Sequence, residues 1–127
     1  MENPSSYSIR QAAQRTGLSA HTLRWYERIG LIDPVSRDNY GYRVYTAELL
    51  TWLQFLHVLR STGMGIEQMQ AFVELVRQGE STKTEQLEML KVHREALKEQ
   101  MESLADFLTA LETKIEEFET VVEETVT

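Results

Sequence analysis

Apolar positions change period along the chain, and each change marks a predicted element. Ile9, Ala12 and Ala13 share one helical face behind Ser8, a good N-cap residue. Thr16-Gly17-Leu18 breaks that helix. Ser19 caps a second one running to about Arg28, with Leu23, Tyr26 and Ile29 turned inward. Pro34 biases Asp33 away from helix, so residues 31–35 read as extended. Residues 36–41 carry turn chemistry, and Tyr42-Arg43-Val44-Tyr45 reads as a short strand. Together these predict a small β-hairpin, with Tyr40, Tyr42 and Val44 on one face and Arg43 and Tyr45 on the other. Thr46 caps a third helix with Leu49, Trp52, Leu53, Leu56 and Leu59 as its stripe. Gly63-Met64-Gly65 ends it, and a fourth helix carries Ile66, Met69, Phe72, Val73 and Val76.

From Thr82 onward there is neither Gly nor Pro. Leu87, Leu90, Arg94, Leu97, Met101, Leu104, Leu108, Leu111, Ile115, Phe118 and Val122 follow one another at strict 3-4 spacing. All but Arg94 are apolar, which is a coiled-coil seam. At 1.5 Å per residue that seam runs roughly 53 Å. A domain of 75 residues has a radius of gyration of only about 11 Å and cannot cover it. Another copy of the chain is the economical cover, so a homodimer is expected. Arg94 either fixes the register of the pair or snorkels at a frayed end. The seam spacing leaves the orientation of the two strands open.

The formal charge is −7, and it is unevenly placed. Residues 1–60 hold seven Arg against five acids; residues 61–127 hold six Lys/Arg against fifteen acids. The overall balance is therefore a poor guide to what the first half binds. The chain has no cysteine, which excludes disulfides, thiolate zinc sites, iron–sulfur clusters and thiol nucleophiles. The opening residues lack the apolar core of a signal peptide, and residues 49–59, the most apolar stretch, are interrupted by Thr51, Gln54 and His57. No membrane association and a cytoplasmic location are expected.

Catalytic chemistry finds little support. His21, His57 and His93 fall on three different predicted helices in no metal-ligand spacing. Phosphate loops, nucleophile elbows and dinucleotide fingerprints are absent. The Glu residues after position 85 read as the solvated face of a long helix. No enzyme activity, metal or cofactor is expected. The first 60 residues differ, holding eight of the eleven aromatics and Arg as their only strongly basic residue. The planar fork of Arg suits phosphate and guanine. Two short helices joined by a Gly-containing turn read either as a helix-turn-helix or as an αα-hairpin of any helical protein. In the first reading Ala20, His21 and Arg24 project from the half of the second helix that enters a major groove. Ser19 and the helix start then meet a phosphate. Arg24 and Arg28 share a face, while Arg37, Arg43, Tyr40, Tyr42 and Tyr45 lie on the hairpin. Singly, each Arg also reads as a surface charge and Trp25 and Tyr26 as domain core, while Trp52 and Phe55 read as core rather than ligand contacts.

Several ordered motifs agree at once with one known family. Ser8-Ile9-Arg10-Gln11-Ala12-Ala13, Thr16-Gly17-Leu18-Ser19 and the run from Thr22-Leu23-Arg24-Trp25-Tyr26 to Ile32 resemble the MerR-type transcriptional regulators. So do Tyr40-Gly41-Tyr42-Arg43-Val44-Tyr45 and the stretch from Leu59-Arg60 through Gly63-Met64-Gly65 to Met69. The resemblance covers residues 6 to about 77 and extends in architecture through the long helix. It implies a mainly α fold: a winged helix-turn-helix over 6–77, then a dimerising antiparallel coiled coil over 81–120. Within the first part it implies a helix-turn-helix over 8–29, a wing over 31–45 and helices over 46–61 and 65–78. Residues 1–5 and 121–127 are then tails. It further implies a homodimer on an inverted repeat in promoter DNA, bent and untwisted so that RNA polymerase can use it. Carried over by position, His21, Thr22, Arg24 and Trp25 fall on the DNA-reading helix, with Tyr26 near phosphate. Tyr42 and Arg43 fall on the wing, and Arg60 at a second wing. Trp25 departs from the Tyr or Phe usual in the family. The chain resembles the aldehyde- or electrophile-responsive short members in length, yet has no thiol on its third helix. The effector stays unnamed: a small molecule or another protein. A rival from another class is a coiled-coil adaptor whose helix-turn-helix has lost DNA binding.

Overall fold

The computed structural model describes residues 6–126; the expected N-terminal tail, residues 1–5, lies outside the described residues, as does Thr127. The elements are β1 (Ser6–Tyr7), α1 (Ile9–Thr16), α2 (Ala20–Arg28), β2 (Tyr45–Thr46), α3 (Ala47–Ser61), α4 (Ile66–Gln78), a 3-10 turn (Gly79–Thr82) and α5 (Lys83–Val126). The chain divides into two compact units, Met1–Gln86 and Leu87–Thr127.

In the first unit the helix starts follow from their caps. Ser8 accepts from the Gln11 N–H at 3.1 Å, and the Gln11 side chain accepts from the Ser8 N–H at 2.8 Å, a reciprocal pair that closes α1. Gly17, at φ +78°, ends α1 and turns the chain back; a side chain there would be strained. Thr46 caps α3 through the Leu49 N–H at 3.1 Å. The core gathers Tyr7, Ala12, Leu18, Leu23, Tyr26, Leu31, Ile32, Tyr45, Met69, Phe72 and Val73, all buried.

Three details differ from the sequence expectation. Tyr45 and Thr46 do not continue the hairpin; they pair antiparallel with Ser6 and Tyr7, a partner about forty residues back in the chain. The hairpin itself holds by a single bridge between Arg37 and Arg43, without continuous strands. Pro34 at its base has no N–H to add a further rung. On α3 the inward residues are Leu50, Leu53, Leu56 and Leu59, whereas Leu49 and Trp52 are half-buried on the flank. There the Trp52 indole N–H donates to the Leu31 carbonyl at 3.4 Å, and its ring stacks 6.4 Å from Phe72.

A buried polar junction joins α4 to the start of α5. Thr82 donates to the carbonyls of Leu75 and Gly79, and Gln86 Nε2 reaches Leu75 O, Gly79 O and Thr82 Oγ1. These bonds occupy carbonyls that the C-terminus of α4 would otherwise leave open.

In the second unit α5 is unbroken as far as Val126, past position 120 where the expected coil ends. Its seam stands largely in solvent: Leu87, Met101, Leu104, Leu108, Leu111, Ile115, Phe118 and Val122 are all exposed, Leu104 by 65%. Burying one such side chain is worth about 1.5–3 kcal/mol, so an uncovered row of this length is unfavourable in water.

Candidate nucleic-acid interface

Ser19 shapes the start of α2. Its hydroxyl accepts from the Thr22 N–H at 3.0 Å and donates to Thr22 Oγ1 at 2.9 Å, so both side chains are held against the first turn. The helix then sorts its faces by period. Leu23 and Tyr26 are buried, His21 and Arg28 exposed, and Thr22, Arg24 and Trp25 partly exposed.

Asp38 builds the hairpin tip. Its carboxylate accepts from the N–H groups of Tyr40 and Tyr42 at 2.9 and 3.0 Å. Gly41 takes φ +86°, and Arg37 Nη1 donates to its carbonyl at 2.7 Å. The tip projects Tyr40 and Tyr42 into solvent, 86% and 72% exposed.

Glu27 ties the hairpin to α2, and sequence reasoning missed it. Its carboxylate accepts from Arg43 Nε at 2.8 Å and from the Val35 N–H at 3.1 Å. Both ion-pair side chains are mostly buried, 23% and 17% exposed. Burial pushes the Glu27 carboxyl up, but the Arg43 hydrogen bond, the Val35 N–H and the charges of Arg43 and Arg37 outweigh it and hold it below the usual carboxylate range. The available signal was one acid among the basic residues of α2; its partner lies 16 positions away, beyond any local periodicity.

The structure brings Arg24, Arg37, Tyr42 and Arg43 around one cleft of about 240 Å³, walled also by Ser8, Ile9 and Gly41. Arg43 is committed there to Glu27 through Nε, so it anchors the wing rather than standing as a simple surface cation. Tyr26 is turned inward as the helix periodicity expected: at 1% exposure its ring is core. Burial raises its hydroxyl pKa, and the Arg60 charge offsets part of that. Arg60 itself is exposed at the end of α3, donating to the Met64 carbonyl at 3.5 Å in the turn after that helix. The cleft does not include it. Tyr45 is fully buried beside β1, not on the wing surface, and its hydroxyl has no partner among the described residues.

A capped helix pair with an arginine-lined cleft under an exposed, tyrosine-tipped wing defines the winged helix-turn-helix class of DNA-binding domains. Comparison agrees. Residues 7–75 match the MerR HTH family regulatory protein model, and residues 50–117 match the MerR DNA-binding model. The chain belongs to the MerR family of helix-turn-helix regulators. It is 38% identical over 92 residues to the HTH-type transcriptional regulator AdhR of Bacillus subtilis, a match taking in 72% of this chain and 66% of AdhR, a little under two thirds. Among solved structures, a MerR family transcriptional regulator from Listeria monocytogenes is 38% identical, with a TM-score of 0.81, covering 90% of this chain and 86% of that one. HiNmlR, a MerR family regulator lacking the sensor domain and solved bound to promoter DNA, is 36% identical with a TM-score of 0.77. That match covers 81% of this chain and 78% of HiNmlR. Among the described residues no helix is long and apolar enough to cross a membrane, and no group of three or more His, Cys, Asp or Glu could hold a metal ion.

Proposed function

We propose that the protein is a cytoplasmic transcriptional regulator that binds an inverted repeat in promoter DNA as a homodimer and distorts it. The observation that carries this reading is the convergence of Arg24, Arg37 and Arg43 on one cleft between the start of α1, α2 and the wing. The likeness to HiNmlR, whose structure holds promoter DNA, supports it. In this reading Ser19, His21, Thr22, Arg24 and Trp25 face the major groove. Arg37, Tyr40 and Tyr42 reach the flanking backbone, and Arg60 contributes from a second approach. Arg43 acts by holding the wing to α2. The open seam of α5, including Leu90, Arg94 and Leu97, is the dimer interface. RNA polymerase responds through the reshaped promoter; any effector would be a small molecule or another protein.

The test is selection of bound duplexes from a random library by the purified protein at physiological salt, where non-specific binding is suppressed. Enrichment of an inverted repeat bound by one dimer is expected. A stable dimer that enriches nothing, with candidate metabolites absent or present, would favour the adaptor reading.

A further inference from the structure

Three consecutive carbonyls at the end of α2 are held by side chains from elsewhere in the first unit. Ile29 O accepts from Gln70 Nε2 at 3.1 Å, Gly30 O from Arg77 Nη2 at 2.8 Å, and Leu31 O from the Trp52 indole N–H at 3.4 Å. The donors lie 41, 47 and 21 positions away, two on α4 and one on α3. The N–H groups of the same three residues are spent within the helix end. Ile29 N–H donates to Trp25 O, Gly30 N–H to Glu27 O and Leu31 N–H to Tyr26 O, with Gly30 at φ +82°. The carbonyls are therefore the groups left for α3 and α4 to hold.

Gln70, Val73 and Arg77 share one face of α4, with the outer two about 10.5 Å apart. Val73 is buried, so that face is seated by packing. Thr82 and Gln86 occupy the Leu75 and Gly79 carbonyls on either side of Arg77, so the turn that bears it is fixed as well. The other end of the connector between α2 and the wing is fastened differently: the Val35 N–H donates to Glu27, which also takes Arg43. Glu27 thus makes one body of α2 and the wing, and Gln70, Arg77 and Trp52 tie that body to α3 and α4.

We propose that Gln70 and Arg77 are positioning residues for DNA recognition. They fix the angle at which the α2–wing body is presented, and with it the half-site spacing that a dimer accepts. Buried Leu31 and Ile32 keep the connector against the core, but apolar packing is non-directional. Hydrogen bonds weaken steeply off axis, so three on successive carbonyls set its rotation. α4 leads through the 3-10 turn into α5, the helix that the reading above pairs with a second copy, so the angle set here is carried into the distance between two reading heads. The Arg77–Asp33 ion pair does not supply this effect: at 39% and 85% side-chain exposure it contributes little. The proposal rests on the homodimer and inverted-repeat reading and adds what sets the spacing.

The test uses the full chain and three duplexes: the selected repeat, and the same repeat with one base pair inserted or removed at its centre. One base pair turns a half-site by about 34° and shifts it by about 3.4 Å. The unaltered protein is expected to bind both altered duplexes at least about tenfold less tightly, because the DNA must be twisted back to fit. Gln70→Ala with Arg77→Ala should bind the original repeat about three- to tenfold less tightly, yet lose less than about threefold more when the spacing changes. It should keep its preference for the half-site sequence over a shuffled one. Both side chains are exposed, so the variants are expected to fold, as far-ultraviolet circular dichroism reports; each single variant is measured alongside. Asp33→Ala removes only the ion pair and should retain the full spacing penalty, as should Arg77→Lys in large part. A role confined to stability lowers affinity for every duplex by one factor and leaves the penalty unchanged; that result would overturn the proposal. So would variants that bind like the unaltered protein, a loss in Asp33→Ala equal to that in Arg77→Ala, or an unaltered protein indifferent to spacing. If the unaltered protein selects no inverted repeat, the DNA-binding reading fails and the proposal with it; selection with an unchanged penalty in the variants fails the proposal alone.

Discussion

Replacing Glu27 by Ala should release the wing from α2. The substitution leaves a mostly buried Arg43 guanidinium without its carboxylate and the Val35 N–H without its acceptor. A hydrogen bond to a charged group contributes about 1.5–3 kcal/mol and a neutral one about 0.5–1.5 kcal/mol. Partial exposure of the pair places the sum near the lower end, about 2–3 kcal/mol. The loss falls on the wing, so it is best read locally by amide hydrogen exchange. Val44 N–H donates to Ser36 O at 2.8 Å and reports wing opening. A change of about 2 kcal/mol predicts roughly 30-fold faster exchange there. Glu27→Gln, which keeps one acceptor, should fall between the two. The acid limb gives an independent check. The folded Glu27 pKa is below its ordinary 4.5, so its contribution is complete above that value and disappears as pH falls through the lowered folded value. Wild-type wing protection should therefore weaken in that acid range, and the Gln variant should lack this component. Less than a twofold change at Val44 in Glu27→Ala would refute the anchoring role.

Other consequences are simpler. Tyr45→Phe removes a buried hydroxyl without a partner among the described residues and should stabilise the first unit by up to about 1 kcal/mol in denaturant unfolding; a loss would expose a hidden partner. Gln86→Leu strips donors from the Leu75 and Gly79 carbonyls and should cost about 1–2 kcal/mol, read at fixed protein concentration because a dimer's melting depends on it. Arg24→Ala should cost about 1–3 kcal/mol on the selected duplex and much less on random DNA. Arg37→Ala should weaken both alike and reduce the salt slope by about one.

Local rules made the helices legible. Ser8, Ser19 and Thr46 cap α1, α2 and α3 as their hydroxyls suggest, and Gly17 turns the chain where its φ requires. The failures are non-local. Tyr45 has strand propensity, but its partner is Tyr7, and nothing in the local pattern of either segment points to the other. Leu49 and Leu50 are adjacent on a helix apolar on more than one side, so the stripe alone could not say which faces the core. Glu27 shares the same cause. An acid among arginines looks like a surface residue until the wing folds over it. The arginine cleft was legible residue by residue from charge and aromatic enrichment, but not its division of labour, since Arg43 proved to be an anchor.

The central claim is that the face formed by α2 and the wing recognises a particular DNA sequence. It is tested most directly by the ratio of dissociation constants for the selected duplex and a shuffled duplex of equal length, at about 0.15 M salt. The account predicts at least about 1,000-fold preference for the selected site, lost in large part with Arg24→Ala. A ratio within about tenfold, for a protein shown to be an intact dimer, would leave only the electrostatic attraction common to any basic surface and would contradict the account.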